Sequence, residues 1–337
     1  MDSLTHTVLG ACMGEAIAGK QMGKKAMLVG AMAHNLPDID VILNFFTTQA
    51  SSLLTHRGIT HSILFNLLAT FSLAWLFWRF IKNKSMSYGH WLFLIGSGLF
   101  THITIDAFTT YGTGWFEPFS HERVSFNSIF ILDPFLLLSL LIPAFVLLVF
   151  RMKQENRTRW ASLGLVLAGV YLCMCLTNKI IVNNVVKKDF VSQNISWDEY
   201  MTTPTPLNNL LWYIVVRKEN EYRIGYYSVF DKKGNIFYET VNRNDSLLTP
   251  YKDSDEIKKL LRFSKGYYSL HREDTAVIFS DIRFGQLGGW AATNTPFVFN
   301  FNIEKTVDNR VALQQGRFKS FEPDVIGQLV NRIKGRP

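Results

Sequence analysis

Three cysteines in 337 residues, Cys12, Cys173 and Cys175, form no CxxC pair, and all lie in apolar stretches. A zinc–thiolate site or a disulfide framework is therefore not expected. The C-terminal part has no cysteine at all and so needs no particular redox compartment. No compact basic block or RNA-binding signature accompanies the formal charge of +8, so nucleic acid is not an expected partner. In a membrane chain, lysines and arginines in short loops set topology instead. The N-terminus MDSLTHTVLG lacks a basic leading region, and no cleavable signal peptide is expected. Internal repeats and low-complexity tracts are missing too.

Hydrophobic residues, by contrast, make up 48% of the chain and are unevenly spread. Four segments, residues 62–81, 91–110, 129–150 and 160–182, are long and apolar enough for bilayer spans, which take about 20 residues. Two shorter ones, 4–19 and 26–35, are rich in small residues and predict a helical hairpin packed inside the bundle. Basic residues fall in three loops: Lys20, Lys24 and Lys25; Arg79, Lys82 and Lys84; Arg151, Lys153, Arg157 and Arg159. If each apolar segment reverses direction, these loops share one side, and the positive-inside rule makes that side cytoplasmic. The N-terminus, loops 37–61 and 111–128, and everything after Val182 then face outward.

Beyond residue 182 the pattern becomes that of a soluble domain. LWYIVV, YRIGYYSVF, NIFYETV, TAVIFSDIRF and PFVFNFNI read as strands, being β-branched and aromatic with partial alternation. DSDEIKKLLRF and EPDVIGQLVNRIK read as helices with acidic or capping starts, and TTPTPLNN reads as a linker. The expected architecture is an α-helical membrane bundle over residues 1–182, with four spanning helices and an N-terminal hairpin. A soluble α+β domain follows over 183–337, on the outward side.

Seven of the eight histidines precede residue 122, and most fall in four clusters: DSLTH (2–6), HNLPDID (34–40), HRGITH (56–61) and HITID (102–106). Imidazole with carboxylate suits zinc, manganese or iron(II). His102 and Asp106 are four apart on a predicted helix and share a face. Pro37 is expected to end the preceding helix, leaving Asp38 and Asp40 on an extended turn. The topology, drawn only from lysines and arginines, puts every cluster at the outward end of its segment. Ionisable groups in membrane helices are costly and mark function. The expected metal-site residues are His6, His34, Asp38, His56, His61, His102 and Asp106. Arg57 and Arg123 are expected to bind an anionic substrate. His90, on the basic side, is excluded, and His121 and His271 read as structural or surface residues. Glu15 reads as structural, paired with Lys20 or another inward group. Asp133 is either a partner of the site or a helix cap.

At these clusters the chain resembles the YdjM-like membrane-bound metal-dependent hydrolases, also described as LexA-binding, inner-membrane-associated hydrolases. MDSLTH, HNLPDID, HRGITHS and HITIDAFTTYGT carry the resemblance, ordered and spaced alike across about residues 1–180. It implies a bacterial inner-membrane protein, with His6, His34, Asp38, Asp40, His56, His61, His102 and Asp106 at the family's motif positions. The donors exceed the three or four that one zinc uses, so the site admits one ion or two. The expected reaction is hydrolysis of an ester, above all a phosphoester, in a lipid or cell-envelope substrate. Asp38 or Asp40 would serve as ligand or general base. Two other classes fit the same residues: a metal-handling transporter with an ion path through the bundle, and a scaffold whose helices a metal staples together.

Overall fold

The computed structural model describes residues 1–81, 83–232, 234–273, 276–305, 311–315 and 324–335, with backbone only for 305 and 311–315. Lys82, Thr275, Glu322 and Pro323, used in the sequence reading above, lie outside the described residues. The chain divides into two compact units. The first comprises Met1–Phe45, Thr55–Leu176 and Pro206–Asn208; the second comprises Phe46–Leu54, Thr177–Thr205 and Asn209–Pro337.

The first unit is helical. Asp2 caps α1 (Ser3–Met22) by accepting from the Thr5 backbone N–H at 2.9 Å, which accounts for the acid opening the first motif. Gly23, at φ +58°, ends it, a backbone conformation that glycine adopts without strain. α2 (Lys25–Asn35) returns against α1. The two backbones nearly touch. A Cβ on Gly14 would lie 2.1 Å from the Ala26 carbonyl oxygen, and one on Gly30 would lie 2.2 Å from that of Gly10. Small residues are what permit such an approach in membrane bundles. Leu36–Phe45 continues α2 as a 3₁₀ helix, so Pro37 tightens the helix where an extended turn was expected.

α3 (Gln49–Thr55) lies in the stretch expected to be loop. Its segment Phe46–Leu54 belongs to the second unit. Ala50 is fully buried there among Leu248, Ile257, Leu260 and Phe279. Thr48 donates to Glu256 at 3.0 Å, and Lys259 donates to Ser51 at 2.8 Å.

α4 (Ile63–Phe80), α5 (Tyr88–Ala107), α6 (Pro134–Val149) and α7 (Gln154–Ser192) complete the helices before the sheets. Three described segments are long and apolar enough to cross a membrane: Lys25–Phe45, Ile63–Phe80 and Gln154–Ser192. By length and composition, four spans are thus not confirmed among the described residues. α6 has only 16 residues, about 24 Å at 1.5 Å per residue, against a hydrocarbon core of about 30 Å. Asp133 is the reason. It accepts from the Phe135 and Leu136 N–H groups at 3.0 and 3.1 Å and starts the helix at Pro134, leaving residues 129–132 outside it. Asp133 is therefore a helix cap, further held by the Tyr171 hydroxyl at 2.8 Å. α5 has the length, but buried His102 and Asp106 lower its apolar character. The segment beginning at α2, expected to be too short, gains its length from the 3₁₀ continuation.

The second unit contains two four-stranded antiparallel sheets. One has the order β1 (Glu199–Pro204), β2 (Leu211–Lys218), β3 (Glu221–Ser228), β4 (Tyr238–Asn242). The other has the order β5 (Tyr268–Glu273), β6 (Ala276–Asp281), β7 (Asn300–Lys305), β8 (Val311–Gln315). α8 (Asp255–Phe263) and α9 (Val325–Ile333) lie where the sequence placed helices. Three of the eight residues of the supposed linker TTPTPLNN are strand. Thr202, Thr203 and Pro204 pair with Ile214, Tyr213 and Trp212, and Pro204 is tolerated because β1 is an edge strand.

Candidate metal centre

Five elements of the first unit converge on one point. α1 brings His6 from its first turns, α2 brings His34 from its last, and the 3₁₀ helix brings Asp38 and Asp40. A short 3₁₀ turn, Ile59–His61, brings His61, and the last turns of α5 bring His102 and Asp106. The close α1–α2 packing matters here, since a Cβ on Gly10 would lie 2.6 Å from that of His34.

Four donor atoms face one another. His61 Nε2 and His102 Nε2 are 3.1 Å apart. Asp38 Oδ1 lies 3.4 Å from the first and 3.5 Å from the second. Asp106 Oδ2 repeats those distances, 3.4 and 3.5 Å. A tetrahedral ion with bonds of 2.0–2.2 Å sets its ligands roughly 3.3–3.6 Å apart. Four of the five separations fall in that range and the fifth, between the two imidazoles at 3.1 Å, is slightly shorter, so these four residues could hold one ion. His61, His102 and Asp106 have no exposure, while the Asp38 side chain keeps 19%. Burial alone would lower the pKa of His61, but hydrogen bonds with Asp106, Asp38 and Asp40 raise it to about 9. Three carboxylates, those of Asp38, Asp40 and Asp106, thus face His61.

Behind these donors stands a layer that orients them. Asp40, 2% exposed, has both oxygens engaged. Oδ1 accepts from His56 Nδ1 at 2.9 Å. Oδ2 accepts from the Arg57 N–H at 2.9 Å and the Thr60 hydroxyl at 2.8 Å, and lies 3.4 Å from His61 Nδ1. A carboxylate on the far nitrogen of a ligating histidine fixes its tautomer and ring plane. Arg57 takes a left-handed backbone, φ +59°, uncommon for a residue with a side chain. Its N–H bond to Asp40 and the 2.8 Å bond from Gly114 N–H to its carbonyl hold it there.

The two arginines are less free than the sequence suggested. Arg57 is 2% exposed, with Nε 3.1 Å from Asp106 Oδ2 and a terminal nitrogen donating to Thr109 Oγ1 at 2.8 Å. Arg123 donates to the His56 carbonyl at 2.8 Å. Both guanidiniums lie over the Tyr111 ring, at 5.0 and 5.1 Å from its centroid. Sequence reasoning missed Thr60, Thr109 and Tyr111, although all three lie inside the motifs. It also missed the approach of the Met1 amine to Asp106. His6 and His34 adjoin the four donors: their rings lie 3.9 and 5.4 Å from that of His102. His56 keeps a quarter of its side chain exposed at the edge of the cluster, grouped with Asp38 and Asp40. His90 and His121 bond elsewhere, to Ser87 and Glu117.

Glu15 belongs to a different cluster. Its oxygens accept from Arg157 Nε at 2.9 Å and a terminal nitrogen at 2.5 Å, and from Gln154 at 2.9 Å. Arg157, counted above among loop charges, is thus a buried partner of Glu15.

The chain is 24% identical over 316 residues to the uncharacterized protein YfhP of Bacillus subtilis (strain 168), covering 88% of this chain and 90% of that protein. It is 30% identical over 122 residues to the inner membrane protein YbcI of Escherichia coli (strain K12), covering 36% of this chain and 69% of that one. No solved structure matches. The model of the YdjM inner membrane protein family matches residues 1–182, the stretch that supplies every donor described above. The chain belongs to the YdjM inner membrane protein family.

Proposed function

We propose that this protein is a membrane-bound metal-dependent hydrolase of ester bonds, above all phosphoesters, with the site on the outward face of the inner membrane. The observation that carries this reading is the four-donor set of Asp38, His61, His102 and Asp106, spaced as one divalent ion requires and buried except at Asp38. A bound zinc, manganese or iron(II) ion would polarise the ester and make its water acidic near neutral pH.

The protein's own groups do the rest. Asp38, at the exposed edge, is the carboxylate that incoming water and substrate can reach, so it serves as ligand or general base. Asp40 has no free oxygen and acts as a positioning residue for His61 and His56. Arg57 steadies Asp106. Arg123, beside His56 and Tyr111, is the guanidinium we assign to the substrate's anionic group. A lipid or envelope substrate is favoured because the element bearing Asp38 and Asp40 also exposes Ile39, Val41, Ile42 and Phe45. Outward orientation rests on the helix ends. Lys20, Lys25 and Arg79 sit at the opposite ends of α1, α2 and α4 from the donors.

The full burial of His6, His34, His61 and His102 favours one other reading, a metal that only staples helices. A transport path is less supported, since the buried acid at the opposite end, Glu15, is already paired with Arg157.

The test is turnover by the detergent-purified protein. Nitrophenyl phosphate mono- and diesters, a nitrophenyl carboxylic ester and long-chain phosphatidic acid would be assayed with and without chelator. Hydrolysis that chelation abolishes, that metal restores and that Asp106→Ala lacks is the expected result. Metal-loaded protein inert towards all of them would leave the staple.

A further inference from the structure

The four-donor set leaves His6 and His34 unexplained. Both are fully buried. Among the described residues, neither ring nitrogen of His34 has a hydrogen-bond partner, and His6 Nδ1 has none either. Buried polar groups are almost always paired, and those that are not call for an explanation. The two rings lie 5.1 Å apart at a 40° tilt. His6, His34 and His102 each offer a nitrogen within 4.8 Å of the other two. His102 cannot serve two centres equally, because its Nε2 already stands 3.1 Å from His61 Nε2 and 3.5 Å from both Asp38 and Asp106.

Asp106 resolves the competition. Its Oδ2 faces His61 and His102 at 3.4 and 3.5 Å, whereas Oδ1 lies 3.1 Å from His6 Nε2 and accepts from the Met1 amine, a cation whose place a metal ion would take. The two oxygens of one carboxylate thus point to different imidazoles, Oδ2 to His61 and His102 and Oδ1 to His6. We infer that the centre holds two metal ions, the second bound by His6, His34 and Asp106 Oδ1, with Asp106 bridging to the first at Asp38, His61 and His102.

This assignment rests on the site being a metal centre and refines its chemistry. Paired ions about 3.5–4 Å apart clamp the attacking and leaving oxygens of a displacement at phosphorus. Charge points the same way. Two divalent ions and Arg57 outweigh Asp38, Asp40 and Asp106, leaving a positive surplus that an anionic phosphoester would neutralise and a neutral carboxylic ester would not.

The experiment is metal counting and electron paramagnetic resonance on full-length protein loaded with manganese(II) in detergent. Wild type is expected to bind two equivalents and to show an exchange-coupled spectrum. His34→Gln is expected to bind one equivalent and to show the hyperfine pattern of an isolated ion. One equivalent in saturated wild type, or two coupled ions in His34→Gln, overturns the assignment. The wild-type count decides even where the variant fails to fold, and His6→Asn gives a second variant on the same site. Neither readout depends on turnover. Two coupled ions in an inert protein would sink the hydrolase reading alone, and one ion in an active protein would sink the bridge alone.

Discussion

α1 carries two buried charged clusters, and they differ in one respect that separates structure from function. Glu15 and His6 are nine residues apart, about 14 Å along the helix. At Glu15 the account closes: Arg157 and Gln154 fill the carboxylate, and Arg157 donates its remaining terminal nitrogen to the Leu147 carbonyl at 2.9 Å. At His6 it does not close. Three imidazole nitrogens on His6 and His34 and another on His102 lack hydrogen-bond partners among the described residues, and acids crowd the same space. A buried charge with all its bonds made holds helices together. A buried set with donors to spare is shaped for something it does not itself contain.

The sharpest way to break that comparison is to spoil the closed cluster. Arg157→Met strands a buried carboxylate, which costs about 3–5 kcal/mol, so the thermal midpoint in detergent should fall markedly. Metal content of the folded fraction should stay at the wild-type value. Pairing it with Glu15→Leu should recover most of the loss, since apolar replacements of a buried pair are often neutral. A variant that keeps its stability but sheds its metal would show that the two clusters are one. A smaller effect is expected at Asp40→Asn, which loosens the orientation of His61 without removing a ligand. Metal affinity, read by competition with a chromophoric chelator, should drop roughly 10- to 100-fold. Complete loss, equal to that of Asp106→Ala, would make Asp40 a ligand.

The gathering of these histidines and aspartates was legible in sequence because it is written in rare residues at local spacing. Histidines and aspartates in four short motifs needed only the helix period and the loop charges to bring them to one end. What stayed hidden was long-range. Nothing near Glu15 names Arg157, 142 residues away, and nothing near Gln49 reveals that α3 is buried against residues beyond 247. The division of labour between Asp38 and Asp40 was equally closed to spacing arguments. It follows from which oxygens Thr60, His56 and the Arg57 backbone already occupy. Helix bounds differ where hydropathy was read without caps, at Asp133 and at the 3₁₀ turn after Pro37. In the second unit, hydrophobic alternation found β2, β3, β4, β6 and β7. It missed β1, β5 and β8, whose polar residues pair at sheet edges.

The smallest effect sharpens the comparison by moving the same chemistry to the surface. Asp245 accepts from Arg243 Nε at 2.8 Å and from the Tyr268 hydroxyl at 2.7 Å, but its side chain is 40% exposed. Partial burial would raise its carboxyl; the bonds from Arg243 and Tyr268 outweigh burial and hold it below the usual range. A carboxylate depressed in the folded state stabilises above its unfolded pKa, about 3.9, and loses that contribution as pH falls through the folded value. Asp245→Asn should therefore cost less than about 1 kcal/mol near neutrality, as exposed pairs do, and should cost less still at strongly acid pH. The readout is chemical unfolding of the full chain, followed by tryptophan fluorescence at several pH values. A loss as large as that of Arg157→Met would mean that burial is not what separates the two pairs, and the contrast drawn between closed and open clusters would need another basis.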